Sequence, residues 1–416
     1  MTERLYYTDS FLAEFDAEVV DVIENSGSPM AVVLDRSAFY PESGGQPFDT
    51  GSLVVDGAQK ISITEVQEDK HGGVLHYLEA GAKLQKGTRV RGIIDFERRH
   101  DHMQQHSGQH LLSAAFVRLF ETPTVSFHLG ADFSTIDLAA KALTHGQIEK
   151  AQELANSVVT EDRPVQVRVV SLEEALALGV RKLPPLEREQ LRLIDIRDFD
   201  LTACGGTHVH STGQIGPVLL RKTEKVKPGL RVEFVCGNRA VTAAGHDYQT
   251  LSESAGILST HISEVPQQIR KTLDEARVLH KQQHLLLEEL AEFHAARLLS
   301  EAPENAGFKL VQKIFADRKL GFVKVLAQKL TRNPSAAVVA LLASTDEQCS
   351  LVFAQSPGFR FDMGKLMKEA AAKLGGRGGG SKDMAQGGAP DAFLLGAVLA
   401  DLTNRLRAMH SENIAL

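Results

Sequence analysis

Tryptophan is missing from this chain and tyrosine occurs only five times, so a surface that holds bases by stacking has little to draw on from those two residue types. Cysteine is scarce as well. Cys204, Cys236 and Cys349 are odd in number and far apart, which argues against a disulfide framework and points any chemically active cysteine toward a metal. No apolar run approaches the ~18 to 20 residues that cross a bilayer. The first residues, Met1 to Phe15, are acidic and aromatic, without the basic n-region of a secretory signal. A cytoplasmic protein with no membrane partner is expected. Positive charge is in deficit too. With a formal net charge of -7, the whole-chain field repels RNA, so any RNA binding must use local patches. Three clusters qualify: Arg98, Arg99 and His100; Arg221, Lys222, Lys225, Lys227 and Arg231; and Lys365, Lys368, Lys373, Arg377 and Lys382. Solvated charged faces are the plain alternative for each.

What is present is an ordinary globular composition, 43% apolar and 24% charged, in a chain long enough for two or three cores. Residues 1–90 alternate apolar and polar positions at Ala31 to Leu34, Ser52 to Val55, Ile61 to Val66 and Val74 to Leu78, between Gly, Asp and Pro turns. That pattern predicts a small β-barrel. From Met103 to Phe120 the spacing becomes helical, and mixed segments follow to residue 240: a helix from Gly146 to Val159 and strands at Val165 to Val170, Val218 to Arg221 and Arg231 to Val235. The expected class is α+β, with 91–240 as a second domain. Over 241–300, Val265, Ile269, Thr272, Ala276, Leu279, Gln283, Leu286, Leu290 and Phe293 alternate three and four apart, as in a long helical linker or coiled-coil arm with Ser263 as cap and Pro266 in the first turn. Thr272 and Gln283 weaken the seam, which leaves both a dimer interface and a helix docked on its own domain open. Residues 301–416 read as a C-terminal α/β domain, with strands at Ala337 to Leu342 and Leu351 to Gln355, a helix from Lys365 to Leu374, a glycine-rich loop and a last helix from Asp391 to Met409.

Two short motifs carry chemistry. His106 and His110 stand four apart on the early helix, which puts both imidazoles on one face. Cys204-Gly-Gly-Thr-His208 offers a thiolate and an imidazole around two glycines that permit a tight turn. Together they supply three nitrogens and one sulfur, a tetrahedral set suited to one Zn(II). A zincin protease needs Glu after its first histidine, where this chain has Ser107. His100, His102, His128 and His210 are left outside the ligand set as packing or surface residues.

These motifs, in this order, resemble the editing domain of alanyl-tRNA synthetase and its free-standing relatives, the AlaX proteins. Phe39-Tyr-Pro-Glu-Ser-Gly-Gly-Gln46 followed by Asp49-Thr-Gly51 is similar to that domain's glycine-rich motif, and Gly229-Leu-Arg-Val-Glu233 to its last strand. Gly375 to Gly388 resembles the C-terminal DHHA1 domain. The likeness runs from about residue 5 to about 410 and best fits the long AlaX form, without the aminoacylation domain, so no adenylate chemistry is expected.

The resemblance implies hydrolysis, in trans and without ATP, of tRNA(Ala) wrongly charged with serine or glycine. Zinc would acidify a water or orient the terminal ribose and ester, and four protein ligands favour orientation. Gln46 would position water or the ester carbonyl, and the N–H groups of Gly44 and Gly45 would face the carbonyl oxygen. Ser37 stands where the family has a threonine thought to read serine's hydroxyl, a change that bears on how tightly serine is distinguished and whether glycine is admitted. Arg377 and Lys382, with Arg98 and Arg99, would contact tRNA, and the arm or the C-terminal domain suggests a homodimer. Two rival functions stand beside this: a tRNA-binding protein with a structural zinc, and a zinc hydrolase of another small ester or amide.

Overall fold

The computed structural model describes residues 2–23, 30–70, 72–181, 190–227, 229–305, 307–390 and 392–414, and the chain divides into two compact units, Met1–Glu253 and Ser254–Leu416. Asp391, the expected start of the last helix, lies outside the described residues.

In the first unit, short strand β1 (Glu3–Arg4) pairs with β4 (Arg36–Ser37), while β2 (Glu14–Ile23), β3 (Ala31–Leu34), β5 (Gly51–Val55), β6 (Gln59–Glu68), β7 (Val74–Leu78) and β8 (Arg89–Ile94) close into a barrel in the order β2-β3-β7-β6-β5-β8. The sequence alternation explains the closure. Val19, Val32, Leu53, Ile61, Val74 and Val90 point inward, and bulges after Val19 and Ile63 bend the long strands round the barrel. Strands β2 and β8, which the expected strands did not include, make the closing pair. Gly92 is required there because a Cβ would overlap the Phe15 ring.

The chain then enters α1 (Phe96–Phe120). The helix begins before the expected Met103, because the Asp95 side chain caps it and its charged first turn shows no apolar period. Strands β9 (Thr124–Leu129) and β10 (Ser134–Leu138) and helix α2 (His145–Thr160), with a Thr144–Gln147 capping box, follow. Next come β11 (Val165–Ser171), the short α3 (Leu172–Ala177), β12 (Gln190–Ile196), β13 (Asp200–Ala203), β14 (Val218–Lys225) and β15 (Leu230–Cys236). They form two antiparallel sheets, β14-β15-β10-β9 and β11-β12-β13. The buried side of α1, from Met103 to Phe116, shares one core with Ile136, Val232 and Phe234 of the larger sheet and Ala151 and Ala155 of α2.

Helix α4 (Asn238–Ile257) carries the chain toward the second unit. There α5 (Val265–Glu301) is the long helical linker. Ser263 is not its cap. That residue sits in a one-turn helix, Ile262–Glu264, with its N–H on His261 Nδ1, and Pro266 lies in the first turn of α5. A six-stranded sheet follows, ordered β16-β17-β18-β19-β21-β20. Its members are β16 (Glu304–Asn305), β17 (Phe308–Phe315), β18 (Val338–Ser344), β19 (Cys349–Gln355), β20 (Arg377–Gly380) and β21 (Met384–Ala389). Helix α6 (Leu320–Thr331) crosses from β17 to its parallel neighbour β18. It packs on one face with the end of α5, while α7 (Met363–Lys373) and α8 (Leu395–Ile414) cover the other. The central strand β18 is buried throughout, which is why it reads as a continuous apolar run.

The expected glycine-rich loop is instead the β20–β21 hairpin at the sheet edge. Glycine is needed for close approach: a Cβ on Gly378 or Gly387 would stand 2.8 or 2.6 Å from Met367 of α7. No helix among the described residues is long and apolar enough to cross a membrane.

Candidate metal centre

Helix α1 presents His106 and His110 on one side, and the turn after β13 carries Cys204 and His208. The four ligand atoms lie within 4.8 Å of one another. Cys204 Sγ is 3.3 Å from both His106 Nε2 and His208 Nε2. A tetrahedral ion with Zn–N near 2.0 and Zn–S near 2.3 Å sets its ligands about 3.3 to 3.5 Å apart, so the arrangement fits one ion.

The outward nitrogens decide the tautomers. Gln46 Oε1 accepts the Thr207 backbone N–H at 3.1 Å and meets His106 Nδ1 at 2.8 Å. A backbone N–H can only donate, so that atom is the oxygen and His106 Nδ1 carries the proton, leaving Nε2 for a metal. His208 Nδ1 meets Ser107 Oγ at 3.2 Å, and His110 Nδ1 lies 3.5 Å from Asp200. Each histidine thus has an orienting partner behind it, the usual construction of a protein metal site. Ser107, which replaces the zincin base, holds His208.

Electrostatics agree with a thiolate at Cys204 and a neutral imidazole at His208, while burial of His110 is outweighed by Asp200 and Cys204, which hold that ring above its ordinary value. Burial opposes the Cys204 thiolate, but the surrounding histidines outweigh it and hold the thiol well below its usual range. Burial pushes His208 down to about 3. Burial also opposes ionisation of Asp200, yet His110 and Arg181 keep it below the ordinary carboxylate range, and Arg181 Nε donates to it at 2.6 Å.

The two glycines of the turn differ. A Cβ on Gly206 would overlap the His106 ring and come within 2.8 Å of Gln46 Oε1, whereas on Gly205 it would meet nothing nearer than Tyr7 Oη at 3.8 Å. Arg192 fixes the turn from behind by donating to the carbonyls of Cys204 and Gly206 at 2.7 and 3.0 Å.

A cavity of about 190 Å³ opens beside the cluster, lined by Gly44, Gln109, Thr124, Phe127, Thr202 and Gly205 together with His106, His110, Arg181, Ala203 and Cys204. Gly44 and Gly45 have positive φ, +58° and +83°, so this loop turns its backbone as only glycine does readily. Among the described residues neither N–H has an acceptor.

Three expected roles change. Gln46 is wholly buried, its Oε1 is taken up by His106 and the Thr207 N–H and its Nε2 donates to Thr207 Oγ1, so it orients a ligand from behind the site. Ser37 is wholly buried in the barrel and does not line the cavity; its Oγ lies 2.7 Å from His76 Nε2 and accepts the Phe39 N–H. Arg99 is no tRNA contact. Its side chain is fully buried, bonded to Asp49 and donating to the carbonyls of Ser10 and Ala38. Arg98, by contrast, reaches the surface, with Nε on the Phe48 carbonyl at 3.1 Å. Arg377 and Lys382 lie exposed on the β20–β21 hairpin. Asp200, Arg181 and Arg192 carry no local signal, being distant in the chain from the ligands they support or unremarkable in type; Gln109 lay inside the histidine motif unrecognised.

The sequence matches three families: that described as "tRNA synthetases class II (A)" over residues 2–98, "Threonyl and Alanyl tRNA synthetase second additional domain" over 191–232, and "DHHA1 domain" over 308–408. The first match falls on the barrel. Among curated relatives, the "Alanyl-tRNA editing protein AlaX-L" of Pyrococcus horikoshii is 32% identical over 93% of this chain and 94% of its own length. The "Alanine--tRNA ligase" proteins of Pyrococcus furiosus and Thermococcus kodakarensis are both 33% identical over 93% of this chain. The chain spans only 42% and 41% of their lengths.

Proposed function

The chain belongs to the alanyl-tRNA editing protein family, and from that premise we propose that it hydrolyses the ester of tRNA(Ala) wrongly charged with serine or glycine, in trans, at a zinc centre formed by His106, His110, Cys204 and His208. The observation that carries this reading is the union of that four-ligand cluster with the Gly44 turn around one small cavity.

Zinc, when bound, would orient the terminal ribose and the ester and draw charge from them. The residues of the chain do the rest. The unsatisfied N–H groups of Gly44 and Gly45 donate to the oxygen on which charge develops, as a preorganised oxyanion hole. Gln46, Ser107 and Asp200 keep the imidazoles in register. About 190 Å³ suits a small amino-acid side chain, and the hydroxyls of Thr124 and Thr202 and the amide of Gln109 give that cavity polar walls able to favour a hydroxyl-bearing substrate. Arg377, on the edge strand β20, and Lys382, in the turn that follows it, contact phosphates of the tRNA body. Helix α5 exposes Leu279, Leu286 and Phe293 at 64, 65 and 70%, which supports self-association through the linker.

The test is release of serine from seryl-tRNA(Ala) by the zinc-loaded full chain, with Cys204→Ala as control and alanyl-tRNA(Ala) as counter-substrate. Serine release that Cys204→Ala abolishes, with alanine spared, supports the proposal. Metal and tRNA binding without hydrolysis would leave a binding protein with a structural zinc. Turnover of small esters independent of tRNA would make it a different hydrolase.

A further inference from the structure

The metal centre uses two members of a longer row. His102, His106 and His110 follow each other at four-residue spacing on α1 and so share one face, yet His102 takes no part in the cluster. It is 4% exposed, and its Nδ1 has no partner among the described residues. A buried imidazole left unbonded costs stability and calls for a reason. His102 lines a second cavity, of about 710 Å³, at the start of α1, within the range of small-molecule sites.

Its other walls have a particular chemistry. Phe11, Phe96 and His100 form an aromatic shelf, with ring centroids 5.7 Å (Phe11–Phe96), 6.0 Å (Phe96–His100) and 6.3 Å (Phe11–His100) apart. Arg98 sits at the same cavity. Its Nε donates to the Phe48 carbonyl and its guanidinium lies 5.5 Å from the Phe48 ring centroid, and among the described residues no carboxylate pairs with its side chain, so its terminal nitrogens are available to an anion. Glu97 supplies an exposed carboxylate. Burial, reinforced by the nearby Arg98 charge, holds His102 down at about 4. The ring is therefore neutral at pH 7 and offers one donor and one acceptor.

We propose that this cavity binds an unpaired nucleotide with an exocyclic amine, on the RNA strand leading to the metal centre. Its base stacks on the Phe96–His100 shelf, its polar edge meets His102 and Glu97, and its phosphate lies on Arg98. Stacking on aromatic side chains with hydrogen bonds to the exposed edge is how single-stranded RNA is recognised. A carboxylate is the natural acceptor for a cytosine amine. The position fits a strand, because His102 precedes His106 by one helical turn, about 6 Å, or roughly two base steps of ~3.4 Å. Pro47, on the wall of this cavity, directly follows the glutamine that orients His106. The inference rests on RNA being the substrate, as proposed above.

The test is a titration of the zinc-loaded full chain with labelled CCA trinucleotide, the sequence of a mature tRNA 3′ end, and with free CMP, for the wild type, His100→Ala and Arg98→Ala. Zinc content and melting temperature report whether each variant folds. Expected is CCA binding weakened about 5- to 150-fold by His100→Ala, the loss of one base stack, and a salt slope reduced by about 1 in Arg98→Ala. Unchanged CCA affinity in both variants would overturn the assignment, as would CMP binding as tightly as CCA, which would indicate a free-nucleotide site. If wild type binds CCA through these residues but does not deacylate seryl-tRNA(Ala), the cavity assignment stands and the editing reading falls. If it deacylates while CCA binding ignores both variants, the reverse holds.

Discussion

Gly206→Ala should damage the metal centre far more than Gly205→Ala, although the two residues are neighbours of identical type. The alanine methyl at 206 would stand about 1 Å inside the ~3.5 Å carbon–carbon contact distance to the His106 ring. His106 cannot yield freely, since its Nδ1 is bonded to Gln46 and Gln46 in turn to Thr207. Relief therefore comes by moving the ring or the turn, and either separates a ligand from the ion by a large fraction of a ~2.0 Å bond. Disturbing the support of one ligand typically costs 10- to 100-fold in metal affinity, or about 1.4 to 2.7 kcal/mol, and displacing the ligand itself should cost at least that much. At 205 the nearest atom is 3.8 Å away, so affinity should stay within about twofold. The assay is competition for zinc against a chromophoric chelator, with circular dichroism to show both variants folded. Equal affinities for the two variants would refute the packing argument, and with it the assignment of His106 as a ligand held by Gln46.

Three further outcomes follow from other parts of the structure. Gln46→Ala should weaken zinc binding about 10- to 100-fold by freeing His106; a normal zinc affinity with lost activity would return Gln46 to a direct role in catalysis. Arg99→Met should cost about 3 to 5 kcal/mol of stability by stranding the buried Asp49 charge, whereas Arg98→Ala should cost less than about 1 kcal/mol; urea unfolding of both checks this. Burial holds His76 at about 4, below its unfolded value near 6.5. The unfolded state therefore binds more protons, and the stabilisation is complete above about pH 6.5 and declines as pH falls toward 4, by about 3 kcal/mol. A pH series of unfolding midpoints should show a shallower slope in His76→Gln than in the wild type, by about one proton, the remainder coming from His102 and His208, which burial also holds down.

How far the sequence could be followed depended on how local each signal was. The metal ligands were visible because i, i+4 and Cys-x-x-x-His spacings each bring two donors together within one turn of chain, and the barrel because its strands alternate with period two. What escaped was set by tertiary contact. Arg99 sits in a basic cluster that looks solvated, and only the approach of Asp49, fifty residues away, shows it to be a buried ion pair. Gln46 looked like a polar group for substrate until Thr207 and His106 took up its amide. The glycines of 375–388 read as a glycine-rich loop, but their lack of side chains serves the packing of α7 on a hairpin. Ser263 looked like a helix cap, yet a 3-10 turn held by His261 delayed the helix by one residue, to a start at Val265.

The central claim is that His106, His110, Cys204 and His208 hold one zinc ion together. X-ray absorption at the zinc edge, on the full chain purified with a single equivalent of metal, tests it most directly. The account predicts a four-coordinate ion with three nitrogens near 2.0 Å and one sulfur near 2.3 Å, the sulfur disappearing in Cys204→Ala. A shell without sulfur, or one that Cys204→Ala leaves unchanged, would contradict it.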